Sequence, residues 1–467
     1  MPSPKPNRTF LYVTTCIANL ASFICGTSLG WSSPELSLLR DASTSPLGRN
    51  ITGSEESWIG SFLPLAAAIG PIGGGILADL IGRKSTLLLA TAPFIVAYVL
   101  NVLAASVGFF YAGRFLCGLG VGVIFTALPM YVGEVADDEC RGALGSFMQL
   151  FIVIGLLFSY ALGPFISIFL FNILLLIPPV LFVALFFFLI PESPYYLLQS
   201  GRFQEALVAS LKLRGMEKSI VAKELEVMKV QVEQEQKIKG NILDIFKTKG
   251  LRTALIISIG LVAWQQLSGI NIVLFFAQTI FTDAGVSLAP ALCTIIIGVV
   301  QVIASACTPL LVERRGKRFL LILSALGMAV AQAVLAYYFF VKDQQHRDTS
   351  SIGWLPIVSL IAYIVAYCLG FGPLPWAVMG ELFPGNVKSI ASSATASVCW
   401  LLGFLVTNYF DALTSVAGKS GSFGLFTVCC LMAGVFVYVC VPETTGKNVH
   451  EIQYILEGLG RDGSFEM

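Results

Sequence analysis

A run of about twenty apolar residues with hardly a charge recurs along this whole chain, and that repetition limits the fold more than any other feature. Leu251 to Ile280 and Trp354 to Met379 are two examples. Each is long enough to cross a hydrocarbon core of about 30 Å, where a helix satisfies its own backbone polar groups. Twelve such segments can be drawn, at about 11–31, 57–78, 86–106, 109–131, 144–163, 168–190, 253–280, 290–311, 319–341, 354–379, 390–411 and 422–441. With 56% hydrophobic and 12% charged residues, a soluble globular fold is excluded. The expected class is an all-α integral membrane protein of twelve transmembrane helices.

An even number of spans puts both termini on one side, and positive charge indicates which side. With the termini inside, five of the 29 Lys and Arg residues (Arg40, Arg49, Lys342, Arg347 and Lys419) fall outside and Arg114 falls within a span. All the others lie inside, so both termini are expected in the cytosol. The first apolar run follows Met1 to Arg8 with no small-residue cleavage pattern and reads as a retained span. The 11 cysteines show neither a disulfide framework nor metal-ligand spacing. Of two glycosylation sequons, at Asn7 and Asn50, only Asn50 lies on the side expected to be external.

Between 191 and 252 the composition turns charged and helix-forming, as in Ala222 to Gln236. This linker separates two six-span halves, 1–190 and 253–441, and a tail occupies 442–467. The halves echo each other. Gly82-Arg83-Lys84 returns as Gly316-Lys317-Arg318, Gly133-Glu134 with Arg141 as Gly380-Glu381 with Lys388, and Pro191-Glu192-Ser193 as Pro442-Glu443-Thr444. The similar offsets of these three pairs imply a duplicated unit. Parallel halves with a substrate site between them near mid-membrane are a transporter architecture.

These motifs resemble the sugar porter branch of the major facilitator superfamily, which includes the facilitative glucose transporters. The resemblance rests on Gly82-Arg83-Lys84, Gly113-Arg114, Glu134 to Gly142, Pro191-Glu192-Ser193-Pro194, Gln265-Gln266 to Asn271, Gly372-Pro373 to Trp376, Glu381 to Pro384 and Pro442 to Gly446. Leu29 to Leu36 is most similar to insect facilitated trehalose transporters. The resemblance implies the major facilitator fold and uniport of a hexose or trehalose by alternating access.

A neutral polyol calls for side chains that donate and accept hydrogen bonds without burying charge, as Gln and Asn do. Gln265, Gln266 and Asn271 share one span, with Gly269 free to bend it. The resemblance places these three at the sugar, together with Gln149 and Gln301, whereas intramembrane amides otherwise serve as interhelical glue. Trp376 and Trp400 offer flat apolar faces to the C–H side of a sugar ring. Phe275 and Phe276 stand at the family's aromatic gate positions. Pro373 and Pro375 interrupt the tenth span and suggest a hinge.

Arg83, Glu134, Arg141, Glu192, Glu313, Arg314, Lys317, Glu381, Lys388 and Glu443 gather at cytoplasmic span ends. The resemblance implies a latch of ion pairs between the halves, formed when the cytoplasmic side is closed. Arg114 is grouped with it, since an unpaired intramembrane Arg is costly.

Four positions depart from the family pattern. Gln301 stands where the glucose transporters typically carry Asn. Tyr195 replaces an Arg of the latch, while Cys368 and Gly403 replace polar residues and suggest a roomier pocket. Proton-coupled members carry Asp in the first span where this chain has Ser32, which cannot titrate, so uniport is expected over proton symport. A non-transporting sugar sensor is disfavoured by the short tail. An enzyme is disfavoured because His346 and His450 lie outside the core and no nucleophile–base or metal cluster is visible. No phosphate-cradling loop of an ATP-driven pump occurs. The expected partners are a sugar and the lipid bilayer, with no nucleic acid, cofactor or metal. Cell membrane residence is expected, with an endosomal or lysosomal membrane as alternative, because Glu451 to Leu456 reads either as a dileucine-type sorting signal or as a short amphipathic helix.

Overall fold

A computed structural model describes residues 7–137, 140–237, 246–345, 347, 349–447 and 449–458. The side chains of Arg141, Glu313 and His450, and the whole of His346, lie outside the described residues.

Twelve helical spans are present, and among the described residues there is no strand. The first six are α1 (Thr9–Leu39), α2 (Gly53–Ile81), α3 (Arg83–Val102), α4 (Val107–Val135), α5 (Arg141–Leu162) and α6 (Ile168–Leu189). Three short helices follow: α7 (Pro194–Gln199), α8 (Phe203–Arg214) and α9 (Lys218–Lys237). They close over a small apolar core of their own that includes Leu197, Ala206, Leu207, Val221 and Leu225. The second half begins with α10 (Lys249–Leu267) and α11 (Ile270–Ala284), which together make one span. It continues with α12 (Pro290–Arg315) and α13 (Lys317–Phe339), and then with α14 (Leu355–Leu369) and α15 (Leu374–Leu382), again one span in two pieces. α16 (Gly385–Asn408) and α17 (Phe410–Cys440) complete the bundle, and α18 (Val449–Glu457) follows.

The helices run past the segments expected from hydropathy. α1 continues to Leu39, and before the apolar run expected near 422 the chain is already helical from Phe410, with a break at the non-helical Gly418 (φ 69°, ψ 171°) between the two parts of α17. Outward-facing Ile72, Leu80, Phe188 and Tyr438 remain exposed, as helices facing lipid require. Within the first half α1 crosses α5 so closely that a Cβ on Gly26 would stand 2.0 Å from the Ile152 carbonyl oxygen. Small residues at such crossings let backbones meet in a medium that provides no hydrophobic drive between helices. The halves meet along α2 with α16, α5 with α12 and α1 with α11.

The duplicated motifs acquire a common structural meaning. Glu192 accepts from the Lys84 backbone N–H, and Glu443 accepts from those of Lys317 and Arg318, so each carboxylate caps the third span of its half. Arg83 then pairs with Glu134 at 2.9 Å, and Lys317 pairs with Glu381. Both pairs lie within one half, on the face that holds the termini, here called the terminal face. Burial raises the Glu443 carboxyl, but donors from Thr445 and from the Lys317 and Arg318 backbones outweigh it and hold it below its ordinary value. Its stabilising share is therefore present above the ordinary carboxylate range and lost as pH falls through the depressed value. Tyr195 supplies no cation; its ring instead lies 5.7 Å from the Arg83 guanidinium centre as a cation–π partner.

α18 docks on the terminal face, with Ile452 and Leu456 buried and Gln453 donating to the Leu382 carbonyl. The tail segment is thus an amphipathic helix packed on the bundle, and the leucine that a sorting receptor would need is covered.

Candidate functional site

Two spans are broken at the centre of the second half. Gly269, with φ of 82°, separates α10 from α11, and its Cβ position is crowded by the Phe426 ring at 2.7 Å. A left-handed backbone against an aromatic face accepts only glycine. In the tenth span the helix stops at Leu369 and restarts at Leu374, with Pro373 and Pro375 at the new N-terminus, where a missing N–H leaves nothing unsatisfied.

Broken helices free carbonyl groups that need donors in a membrane interior. Gln265 donates to the Phe371 and Gly372 carbonyls, the latter at 3.0 Å. Gln332 and Tyr363 donate to the Ser268 carbonyl at 3.2 and 3.1 Å. Gln332 and Tyr363 were not singled out from sequence, because their role depends on a break two helices away. Gln265 is therefore part of the frame that holds one break against the other.

Beside it, Asn271 donates to Gln266 Oε1 at 2.7 Å, and Gln266 Nε2 reaches Cys399 Sγ at 3.1 Å. The Gln266–Asn271 pair packs over Gly403, where a Cβ would stand 2.7 Å from Asn271 Nδ2. The glycine does not enlarge the pocket here; it makes room for the two amides. Cys368 is buried against α12, its sulfur 4.0 Å from the Gln301 carbonyl. Gln301 Oε1 and Trp400 Nε1 are both buried, and among the described residues neither has a hydrogen-bond partner. Gln149 on α5 is half-buried. Trp376 is half-buried as well, and both Trp rings meet Phe125 of α4. Five amides, two indoles and two unsatisfied polar atoms thus flank the meeting of the halves. Such a set can hold a neutral ligand rich in hydroxyl groups. No group of three or more His, Cys, Asp or Glu among the described residues could hold a metal.

On the face opposite the termini, the distal face, bonds cross between the halves. Gln278 meets Ser33 and Ser37 at 3.1 Å, Tyr160 donates to the Leu274 carbonyl at 2.6 Å, and Ser61 meets Asn408 at 3.1 Å. Arg40 pairs with Glu56 at 2.7 Å and lies 3.8 Å from Asp283, which also pairs with Lys419 at 3.0 Å. This outer charge cluster escaped sequence reasoning because its members come from four separate loops and helix ends. Phe276 stacks on Phe410 and, with non-helical φ and ψ of −116° and 17°, marks a kink in α11. Both rings line a cavity of about 110 Å³ beneath the charges.

Arg114 does not belong with the terminal-face charges. It lies twenty residues up α4 from Glu134, about 30 Å at helical rise. It is fully buried and donates to the Ser28 and Ile59 carbonyls and to Ser32 Oγ at 2.8 Å. Trp31 and Phe275 face its guanidinium at 5.0 and 5.9 Å. One turn beyond Ser32, Glu35 is also fully buried, accepting from Asn172 at 3.1 Å, and its second oxygen has no partner among the described residues. This carboxylate too was missed, since Ser32 drew attention to the wrong turn of α1. Arg314 is exposed, as is Lys388.

A family model described as "Sugar (and other) transporter" matches residues 14–456. A Facilitated trehalose transporter Tret1-2 homolog of Drosophila simulans is 37% identical over 457 residues, covering 97% of this chain and 93% of its own. A Facilitated trehalose transporter Tret1 of Culex quinquefasciatus is 36% identical over 452 residues, covering 96% and 86%. Among solved structures, that of the proton:xylose symporter XylE bound to 6-bromo-6-deoxy-D-glucose superposes with a TM-score of 0.78 at 24% identity, over 96% of this chain and all of that one. That likeness establishes the major facilitator fold.

Proposed function

The chain belongs to the sugar transporter family, and from that premise we propose that it carries a hexose or trehalose across the membrane by facilitated uniport with alternating access. The observation that carries this reading is that Gln301 Oε1 and Trp400 Nε1 are buried and unsatisfied among the described residues, in the half that also holds the Gln266–Asn271 pair and two broken helices. A sugar hydroxyl both donates and accepts, so one ligand satisfies both. Gln149, Gln265, Gln266, Asn271, Gln301, Trp376 and Trp400 make the binding set, and the chain serves as a carrier rather than an enzyme. Phe275 and Phe276, with the Pro373–Pro375 hinge, move as the site opens.

The distal seal, with its cross-half bonds, is the closed gate of this arrangement. In the opposite state the terminal-face clusters of the two halves come together, and Arg83, Glu134, Glu192, Lys317, Glu381 and Glu443, flanked by Arg141, Glu313, Arg314 and Lys388, exchange partners across the interface. We place the terminal face in the cytosol and the protein in the cell membrane. Asn50 is exposed on the distal face. Enzymatic deglycosylation should then speed the protein's migration on a gel, and this shift should vanish in Asn50→Gln. A shift that survives in Asn50→Gln, or one that is absent throughout, would reverse the topology or remove the glycan.

Counterflow tests the function. Proteoliposomes are preloaded with unlabelled glucose, fructose or trehalose and given the same labelled sugar outside, without any ion gradient. Transient accumulation of one label is the expected result; none with any sugar, despite measurable sugar binding, would refute the facilitative carrier. A second reading, proton-linked sugar transport, rests on Glu35, whose buried carboxyl near Arg114 could carry a proton. Uptake that collapses with the proton gradient in intact vesicles would favour it.

A further inference from the structure

Among the described residues, Phe125 is the one aromatic side chain of the first half with ring contacts to both site tryptophans. It projects from α4, where sequence motifs gave it no role. Its ring centroid lies 5.4 Å from that of Trp400 at 84° and 6.3 Å from that of Trp376 at 62°. Both are edge-to-face geometries, which contribute about 0.5–1.5 kcal/mol beyond the area they bury. Phe125 is only half-buried. Trp400, in contrast, is 6% exposed with an unpartnered indole N–H.

A ring that touches both tryptophans from the opposite half does two things. It takes up aromatic surface that a sugar would otherwise cover, and it sets how far the site extends toward α4. The tryptophans ride on the second half and Phe125 on the first, so any rearrangement of the halves changes this width. We propose that Phe125 is the size-selecting wall of the site, limiting how large a sugar can lie against Trp376 and Trp400. The inference rests on the carrier reading above. A side chain selecting by volume must act in both directions: a smaller residue admits larger sugars, and a larger residue excludes them.

The test is counterflow by the full chain in proteoliposomes, with KM and maximal rate measured for labelled glucose and labelled trehalose in wild type, Phe125→Ala and Phe125→Trp. The ratio of trehalose to glucose efficiency should rise at least 10-fold in Phe125→Ala, chiefly through KM. It should fall at least 3-fold in Phe125→Trp. If Phe125→Ala yields no folded protein, the Trp variant decides alone. A ratio within 2-fold of wild type in the folded variants would overturn the assignment while leaving the carrier intact. A wild type that moves neither of these sugars nor fructose would instead sink the carrier reading, and this inference with it.

Discussion

A Gln266→Ala carrier should reach the membrane folded and lose about 100-fold in sugar transport efficiency. The amide it removes holds Asn271 by one bond and Cys399 by another, and Cys399 is the neighbour in sequence of Trp400, whose indole N–H has no partner among the described residues. Each hydrogen bond to a neutral ligand contributes about 0.5–1.5 kcal/mol, and a donor left unpaired in a buried site costs about 1–3 kcal/mol more. Two lost bonds to sugar, with Asn271 freed from its bound orientation, give about 3 kcal/mol, or roughly two decades in efficiency. Initial counterflow rates at several sugar concentrations, normalised to folded protein, check the number. An efficiency within 3-fold of wild type would mean that the amide is interhelical glue and that the sugar binds elsewhere. Gln265→Ala should behave differently. It leaves the carbonyls of Phe371 and Gly372 without their donor, so it should lower thermal stability together with transport.

Gly26→Val should eliminate monodisperse protein in detergent. Its Cβ would stand 2.0 Å from the Ile152 carbonyl oxygen and 2.8 Å from the carbonyl carbon, and Gly155 on the other helix is equally close to the Phe23 carbonyl oxygen, at 2.2 Å. The obstacle is backbone on both sides, so no side-chain rotation relieves it. The two helices must move apart along their whole crossing, and overpacking of this kind costs about 3 kcal/mol or more. α1 carries the residues that hold Arg114 and that meet α11 on the distal face, so the loss spreads to the seal. Gly73→Val is the control, since a Cβ at Gly73 meets nothing within 4 Å. Size-exclusion profiles of the two variants should differ sharply, and a normal profile for Gly26→Val would contradict the close crossing.

The twelve spans, the linker and the twofold repeat were legible because each depends on local composition or on motif spacing. Apolar length alone specifies a spanning helix, and Gly and Pro at 269, 373 and 375 announce where a helix cannot stay regular. The family resemblance implied a site that joins the amides of the seventh span with Trp376 and Trp400. What could not be read was partnership. The terminal-face charges were expected to bridge the halves when that face is closed; here the bonds between the halves lie on the distal face, and Arg83 with Glu134 and Lys317 with Glu381 pair within their own halves. Arg114 was grouped with them by charge type, although it lies near the other end of its helix with Ser32 and the Ser28 and Ile59 carbonyls. Gly403 suggested empty space, whereas two amides fill it.

The sequence by itself determined that the chain must cross a membrane twelve times, in two related halves, with neutral hydrogen-bonding groups in mid-span. Hydrocarbon leaves no other way to satisfy a backbone, and burying charge there costs too much. Only the tertiary structure decided on which face bonds join the halves, which carbonyls the buried glutamines hold, that Glu35 is enclosed, and that Phe125 meets both tryptophans. Those outcomes depend on contacts between residues far apart in the chain, so no local pattern encodes them.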